Sequence, residues 1–157
     1  MDPRAASAQA AMLAELLHSA AAEVVSLLAA VPTDDWDRVP GPGVWSIGKD
    51  AEHLSEAAVF HQWIVRRTLG LAAPARRPAM ERVRLKTELS PRAAAELLDR
   101  RTGESVDLIL TLSDEDLGRP TRPQRAGNPP LAATIERVLV GHYRVHREAI
   151  EAKLRDR

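Results

Sequence analysis

Two histidines lie four residues apart in "GHYRVHREAI", residues 141–150, in a chain that has only five histidines. On an α-helix this spacing places His142 and His146 on one face, one turn apart. They continue an apolar stripe through Ile135 and Leu139, where core residues are expected. Burying an imidazole nitrogen without a partner costs roughly 1–3 kcal/mol. A shared metal ion is the simplest reason for two such rings, because neutral imidazole is a common ligand and both rings can reach one ion.

Composition limits which other groups can take part. The chain has no cysteine, so thiolate metal sites, disulfides and a cysteine nucleophile are excluded, and histidines or carboxylates must hold any metal. Lys+Arg and Asp+Glu both number 22, so the net charge is zero and nothing indicates a nucleic-acid partner. The apolar N-terminal stretch is interrupted by Glu15, His18 and Glu23, which argues against a membrane span or a signal peptide. We therefore expect a cytoplasmic protein with a small-molecule substrate and no membrane partner.

The elements that position these residues are helices. The 157 residues suit one domain over 1–157, and 45% hydrophobic with only 3% aromatic content indicates helices packed through Ala, Leu and Val. Ser46 and Ser90 are good N-caps, Pro91 suits a first turn, and Gly70 stands where a helix usually stops. We predict an all-α four-helix bundle with long helices over residues 5–30, 46–69, 90–112 and 131–154.

The connection between the second and third helices is long. The stretch "GLAAPARRPAMERVRLKTE", residues 70–88, has no clear element of its own. Antiparallel neighbours rarely need so much chain, whereas a crossover along the whole bundle does. The second and third helices are therefore predicted to run parallel, which makes the bundle up-down-down-up.

A divalent ion needs at least a third ligand, and His53 on the second helix is the candidate. It lies seven residues past the Ser46 cap, or ~10 Å along the axis, and His146 lies ~12 Å from the far end of the fourth helix. These levels nearly match if the two helices are antiparallel, as the crossover topology requires. His61 competes for the role but lies two turns further along, and His18 is expected to be a surface or satisfied core residue.

The motifs also resemble a known family. "VPGPGVWSIGKDAEHLSEA" is similar to a family stretch with a Pro/Gly loop, a Trp-Ser helix start and a His-Leu pair, and "HYRVHRE" is similar to its closing H-x-x-x-H-x-E motif. Together they resemble the DinB-like superfamily of four-helix metalloproteins, which includes YfiT-type bacillithiol transferases and mycothiol-dependent isomerases. The resemblance implies an up-down-down-up bundle, often a homodimer, with a three-histidine site for Zn, Ni or Fe. By motif position the ligands are His53, His142 and His146.

Two carboxylates and three further residues are candidates for supporting roles. Glu56, one turn after His53, could hydrogen-bond an imidazole N–H and fix its tautomer. Glu148 completes the family motif but points to another face, so we expect a supporting role for it. The candidate substrate contacts are Trp63, Arg66 and Arg67 at the end of the second helix, together with the basic crossover.

Three neutral histidines leave coordination positions open, as in catalytic metal sites. The first hypothesis is a metal-dependent transferase or isomerase that activates a low-molecular-weight thiol, with a hydrolase using metal-activated water as a close variant. The alternative is a non-catalytic dimeric bundle that is stabilised by a metal or senses one, because fold and function separate easily. A third possibility is that no metal binds and the histidines pair with carboxylates.

Overall fold

The computed structural model describes residues 7–122 and 127–156. Every regular element in those two ranges is helical, and the β-type pairing there is limited to one isolated bridge between Pro120 and Pro130. The all-α fold predicted from the composition is therefore confirmed.

The four predicted long helices are all present. In chain order the helices are α1 (Ala8–Ala29), α2 (Thr33–Trp36), α3 (Ile47–Leu69), α4 (Pro91–Leu110), α5 (Asp114–Gly118), α6 (Leu131–Thr134) and α7 (Gly141–Arg155). A π-helical segment, Ile135–Val140, joins α6 to α7 without a break, so these three pieces form one composite helix. The predicted start of the first helix at residue 5 lies outside the described residues.

The helix boundaries follow from the capping residues. The Ser46 side chain accepts a hydrogen bond from the backbone N–H of Lys49, and the Ser90 side chain accepts one from Ala93. These contacts satisfy N–H groups that have no partner inside the helix. At the end of α3, Gly70 adopts a φ of 68°, a left-handed conformation that glycine takes without steric cost.

The crossover between α3 and α4 runs back along the whole of α3. Near the C-terminal end of α3, the indole N–H of Trp63 donates to the carbonyl of Pro74 at 2.8 Å. At the N-terminal end, the backbone N–H of Ser46 donates to the carbonyl of Leu85 at 2.8 Å. The chain therefore returns to the level at which α3 began before α4 starts, and α3 and α4 run parallel.

Contacts to the composite helix give the remaining directions. Arg147 pairs with Glu23, and these residues lie about two-thirds of the way along the composite helix and along α1, which favours a parallel arrangement of the two helices. Lys153, near the end of α7, pairs with Asp50 in the first turn of α3, so these two helices are antiparallel. These directions favour the up-down-down-up order that the long crossover predicts.

Helix α1 is a core helix. Among the described residues it is the one helix long and apolar enough to cross a membrane by length and composition. Its exposed side carries Glu15, His18 and Glu23. Its inner side is buried in the main hydrophobic core, through Ala10, Leu13, Ala14, Leu17, Ala20, Ala21, Val24 and Leu28. This pattern is typical of a helix packed in a helical bundle.

The composite fourth helix departs from the regular stripe expected for it. A π turn makes i→i+5 hydrogen bonds and shifts every later residue around the helix axis. Tyr143 is consequently the residue buried in the core, only 2% exposed, with its hydroxyl 2.7 Å from the hydroxyl of Thr102. His142 and His146 are half-buried beside it. The expectation that both histidines occupy core positions of an unbroken α-helix is thus corrected by the π segment.

Candidate metal centre

Three histidines from two antiparallel helices converge at one point of the bundle. His53 comes from the second turn of α3, and His142 and His146 come from successive turns of α7. One ring nitrogen of each lies within 4.8 Å of those of the other two. The ring centroids are 5.1 Å apart for His53 and His142, 5.0 Å for His53 and His146, and 4.6 Å for His142 and His146. The structure thus brings together the three histidines selected from the sequence.

The ring nitrogens have fewer protein partners than their burial requires. Nε2 of His53 lies 3.1 Å from Nε2 of His142, so only one of these two atoms can carry the shared proton. Nδ1 of His53 is buried and has no hydrogen-bond partner within residues 7–122 and 127–156. A buried nitrogen in this state costs roughly 1–3 kcal/mol. A divalent cation among the three rings would use their lone pairs, so the donor set fits such an ion.

The rings of His53 and His142 are neutral at physiological pH. Burial is the largest cause that lowers the pKa of His53 to about 3, and the other causes are repulsion from positive charge at His146, His142 and Arg82. Burial likewise lowers the pKa of His142 to about 4, with His146 and Arg82 adding to the effect. Neutral imidazole is the form that binds metal ions, so these ligands need not lose a proton first.

The third ring is held by a carboxylate. Nδ1 of His146 lies 2.9 Å from Oδ1 of Asp50, and Oδ2 of Asp50 contacts the ammonium group of Lys153. An ionised carboxylate only accepts hydrogen bonds, so Nδ1 of His146 is the donor in this contact. Glu56 was expected to hold an imidazole in this way, but its carboxylate accepts a hydrogen bond from the backbone N–H of Glu81 instead.

Trp45 covers one side of the histidine cluster. Its ring centroid is 4.9 Å from that of His53, and it is nearly parallel to the ring of His146 at 6.4 Å, with 13° between the planes. Its indole N–H donates to the carbonyl of Arg82 in the crossover at 3.3 Å. A half-exposed tryptophan fixed by the crossover therefore limits access of water to two of the rings.

The remaining histidines lie outside the cluster. His61 is buried two turns further along α3, with its ring perpendicular to that of His142 at 5.5 Å. It does not belong to the group of converging nitrogens. His18 lies on the exposed side of α1. These positions agree with the lower rank that the sequence analysis gave to both residues.

The other candidate residues are more distant. Glu148 is exposed on α7. Trp63 is ten residues beyond His53, or ~15 Å along the helix axis, and it packs with Phe60 and Ile64 in a small second hydrophobic cluster. Arg66 and Arg67 lie in the last turn of the same helix. Their expected role in substrate contact stays a prediction.

Asp50, Trp45 and Lys153 are residues near the histidines that sequence reasoning did not select, whereas Arg82 belongs to the basic crossover that it named as a candidate substrate contact. Asp50 carried a usable signal, since it lies one helical turn before His53 and an acidic residue in a first turn is stabilised by the helix dipole. Lys153 carried none, because its proximity depends on how α7 lies against α3.

Comparison with known proteins gives one match. The model of a family described as the DinB superfamily matches residues 16–150, which include all three histidines of the cluster. No curated protein and no solved structure matches the chain.

Proposed function

Because the chain belongs to the DinB superfamily, we propose that it is a metal-dependent enzyme whose ion is held by His53, His142 and His146. Its substrate would be a low-molecular-weight thiol, which it activates for transfer or isomerisation. The observation that carries this proposal is the convergence of three ring nitrogens within 4.8 Å, one of them on a ring whose other nitrogen is buried without a partner.

The donor set suits a catalytic ion better than a structural one. Three neutral nitrogen ligands leave coordination positions for an exogenous ligand, and Zn, Ni or Fe all accept imidazole. When bound, such an ion would supply Lewis-acid chemistry that favours the anionic form of a thiol or of water near neutral pH. The chain contains no cysteine, so a sulfur nucleophile has to come from a small-molecule thiol.

The surrounding residues have separate roles in this proposal. Asp50 keeps the His146 ring oriented, and Trp45 limits access of water on one side. Arg82 places positive charge close enough to lower the pKa of His53 and His142, and the same charge would attract an anionic ligand. Homodimer formation and a cytoplasmic location are further parts of the proposal, supported by family membership alone.

Metal analysis of the purified, untagged protein tests the site directly. We expect about one divalent ion per chain in the parent and loss of that ion in His53→Ala, His142→Ala and His146→Ala, because two remaining imidazoles hold an ion weakly. The matched control is His61→Ala, which removes another buried histidine of α3 and should keep the metal. Retention of metal in His53→Ala with loss in His61→Ala would overturn the choice of ligands.

The same preparation separates catalysis from a structural or sensing role. In a cobalt-substituted protein an open coordination position allows added thiol or azide to change the visible spectrum. A shift with thiol supports the enzyme, whereas a spectrum that ignores thiol, azide and cyanide supports the non-catalytic alternative.

A further inference from the structure

Asp50 occupies an unusual position for a carboxylate. It is 3% exposed, lies in the first turn of α3, and faces the antiparallel helix α7. Its two oxygens have different partners there, with Oδ1 at 2.9 Å from Nδ1 of His146 and Oδ2 in contact with Lys153. A buried carboxylate needs both charge balance and hydrogen bonds. Lys153 supplies the charge, and the N-terminal end of α3 stabilises it further.

The arrangement connects the two ligand-bearing helices at one point. Asp50 and His53 are one turn apart on α3, whereas His146 and Lys153 are two turns apart on α7. Asp50 therefore contacts His146 on the opposite helix and not His53, its neighbour on α3. Lys153 holds Oδ2, so the carboxylate cannot rotate away from the imidazole without breaking this ion pair. The pair is largely buried, because the side chain of Asp50 is 4% exposed and that of Lys153 is 12% exposed.

We propose that Asp50 is a positioning residue that fixes His146 in the Nδ1–H tautomer, so that its Nε2 lone pair points into the histidine cluster. Lys153 acts through Asp50 by locking the carboxylate. The inference rests on the proposed metal site. The tautomer itself, however, is a property of the metal-free protein and can be measured separately.

The physical reason is the distribution of one proton. A neutral imidazole carries its proton on either nitrogen, and only the nitrogen without it can bind a cation. Hydrogen bonding from Nδ1–H to a carboxylate selects one of these forms and raises the basicity of the other nitrogen. Without the carboxylate, part of the population would present Nε2–H to the ion, and the ring would also lose its fixed orientation. Removing such a partner typically lowers metal affinity 10–100-fold.

The test combines nitrogen NMR of the metal-free protein with Zn²⁺ affinity from chelator competition, for the parent, Asp50→Ala and Asp50→Asn. We expect His146 to be the Nδ1–H tautomer in the parent and a mixture of tautomers in Asp50→Ala, with affinity lowered 10–100-fold. Asp50→Asn keeps an oxygen that can accept from Nδ1–H but loses the charge, so its affinity should lie between the two. This variant conserves volume and serves if Asp50→Ala does not fold.

Glu56→Gln is the matched control. It neutralises another partly buried carboxylate of α3 whose hydrogen-bond partner is the backbone of Glu81, so it should change neither the tautomer nor the affinity. An unchanged tautomer and unchanged Zn²⁺ affinity in both Asp50 variants would overturn the proposal. If the parent itself takes up no Zn²⁺ while Asp50→Ala still loses the Nδ1–H tautomer, the metal function fails and the positioning role is supported.

Discussion

Two lysine–carboxylate clusters lie on α3 within one turn of each other, and they differ in what they leave unsatisfied. The Lys49 cluster consists of Lys49, Glu52 and Glu81, with ammonium–carboxylate distances of 2.5 and 2.8 Å. The Asp50 cluster consists of Asp50, Lys153 and His146. Both contain a lysine that is largely or wholly buried, yet only the second is continuous with the histidines.

The Lys49 cluster fastens the crossover to α3. Glu81 accepts further hydrogen bonds from the backbone N–H groups of Val83 and Arg84, and Glu52 accepts one from the hydroxyl of Thr87. Burial alone would lower the pKa of Lys49, but hydrogen bonds to the two glutamates outweigh burial and raise the pKa. The hydrogen bond from Lys49 is the largest cause that lowers the pKa of Glu81 to about 2, and hydrogen bonds from Arg84 and Val83 contribute to the same shift. These partners all belong to α3 or to the crossover.

The difference indicates which cluster serves structure and which serves a ligand. In the Lys49 cluster each charge has a protein partner of opposite charge. Next to the Asp50 cluster, Nδ1 of His53 is buried without a partner in the described part of the chain, and one ring nitrogen from each of three histidines lies within 4.8 Å of the other two. Native proteins rarely leave buried polar atoms unpaired, so such an atom calls for an explanation, and an ion is a common one.

The largest expected effect is the loss of stability when the Lys49 cluster is broken, and it tests whether this cluster serves structure. Lys49→Met removes the only lysine of its cluster and leaves two carboxylates facing each other. Breaking a fully buried pair costs about 3–5 kcal/mol, and because Glu81 is 32% exposed we expect about 2–3 kcal/mol less free energy of unfolding in urea. Zn²⁺ affinity should change little.

The control for Lys49→Met is Arg92→Ala. It breaks an ion pair with Glu96 in which both side chains are more than half exposed, and it should leave the free energy of unfolding nearly unchanged because water screens the pair. A tenfold loss of Zn²⁺ affinity in Lys49→Met would contradict the separation of the two clusters.

A smaller effect on the free energy of unfolding is expected from a decrease in pH, and it arises from the histidine cluster and not from the Lys49 cluster. The folded-state pKa values of His53 and His142 are lowered to about 3 and about 4 from 6.5. Between these values and 6.5 the unfolded chain binds more protons than the folded one, so stability is full above pH 6.5 and falls as the pH decreases. At about pH 6 the unfolded chain is only partly protonated, which keeps the loss below that of Lys49→Met.

Urea unfolding of the metal-free protein at about pH 7.5 and about pH 6 measures this loss. The double variant His53→Gln/His142→Gln should show a flatter pH dependence, and His18→Gln, at an exposed position, should behave like the parent. An equal loss in the parent and the double variant would show that other groups cause it.

Much of the fold and part of the site could be predicted from local signals. Ser46, Ser90 and Gly70 mark helix ends through capping chemistry that depends on a few neighbouring residues. The axial level of His53 could be matched to that of His146 because helix rise is constant. Each of these inferences needs only residue type and position along an element.

The rest could not be predicted because it depends on contacts between elements. The π segment Ile135–Val140 has no recognised sequence signature, and it moves Tyr143 into the core. Glu56 was the expected partner of an imidazole because i,i+3 neighbours share a helix face. The observed contact instead joins Asp50 to a ring on another helix. Which carboxylate meets which ring is decided by how α3 and α7 are rotated against each other.

The smallest predicted effect is a change in the pKa values of His53 and His142 when the charge of Arg82 is removed. It tests whether burial or charge keeps these histidines neutral. Arg82 contributes to lowering the pKa of His53 and His142, but burial is the largest cause for both. Arg82→Gln should therefore raise both pKa values only slightly and leave them below 6.5, as measured by NMR titration of the ring protons. Arg84→Gln is the control, since Arg84 pairs with Glu81 and Glu88 and is not among the charges that lower the pKa of His53 or His142. If Arg82→Gln brought either pKa to its ordinary value, charge from the crossover would outweigh burial, and the histidine cluster would depend on the crossover as directly as the Lys49 cluster does.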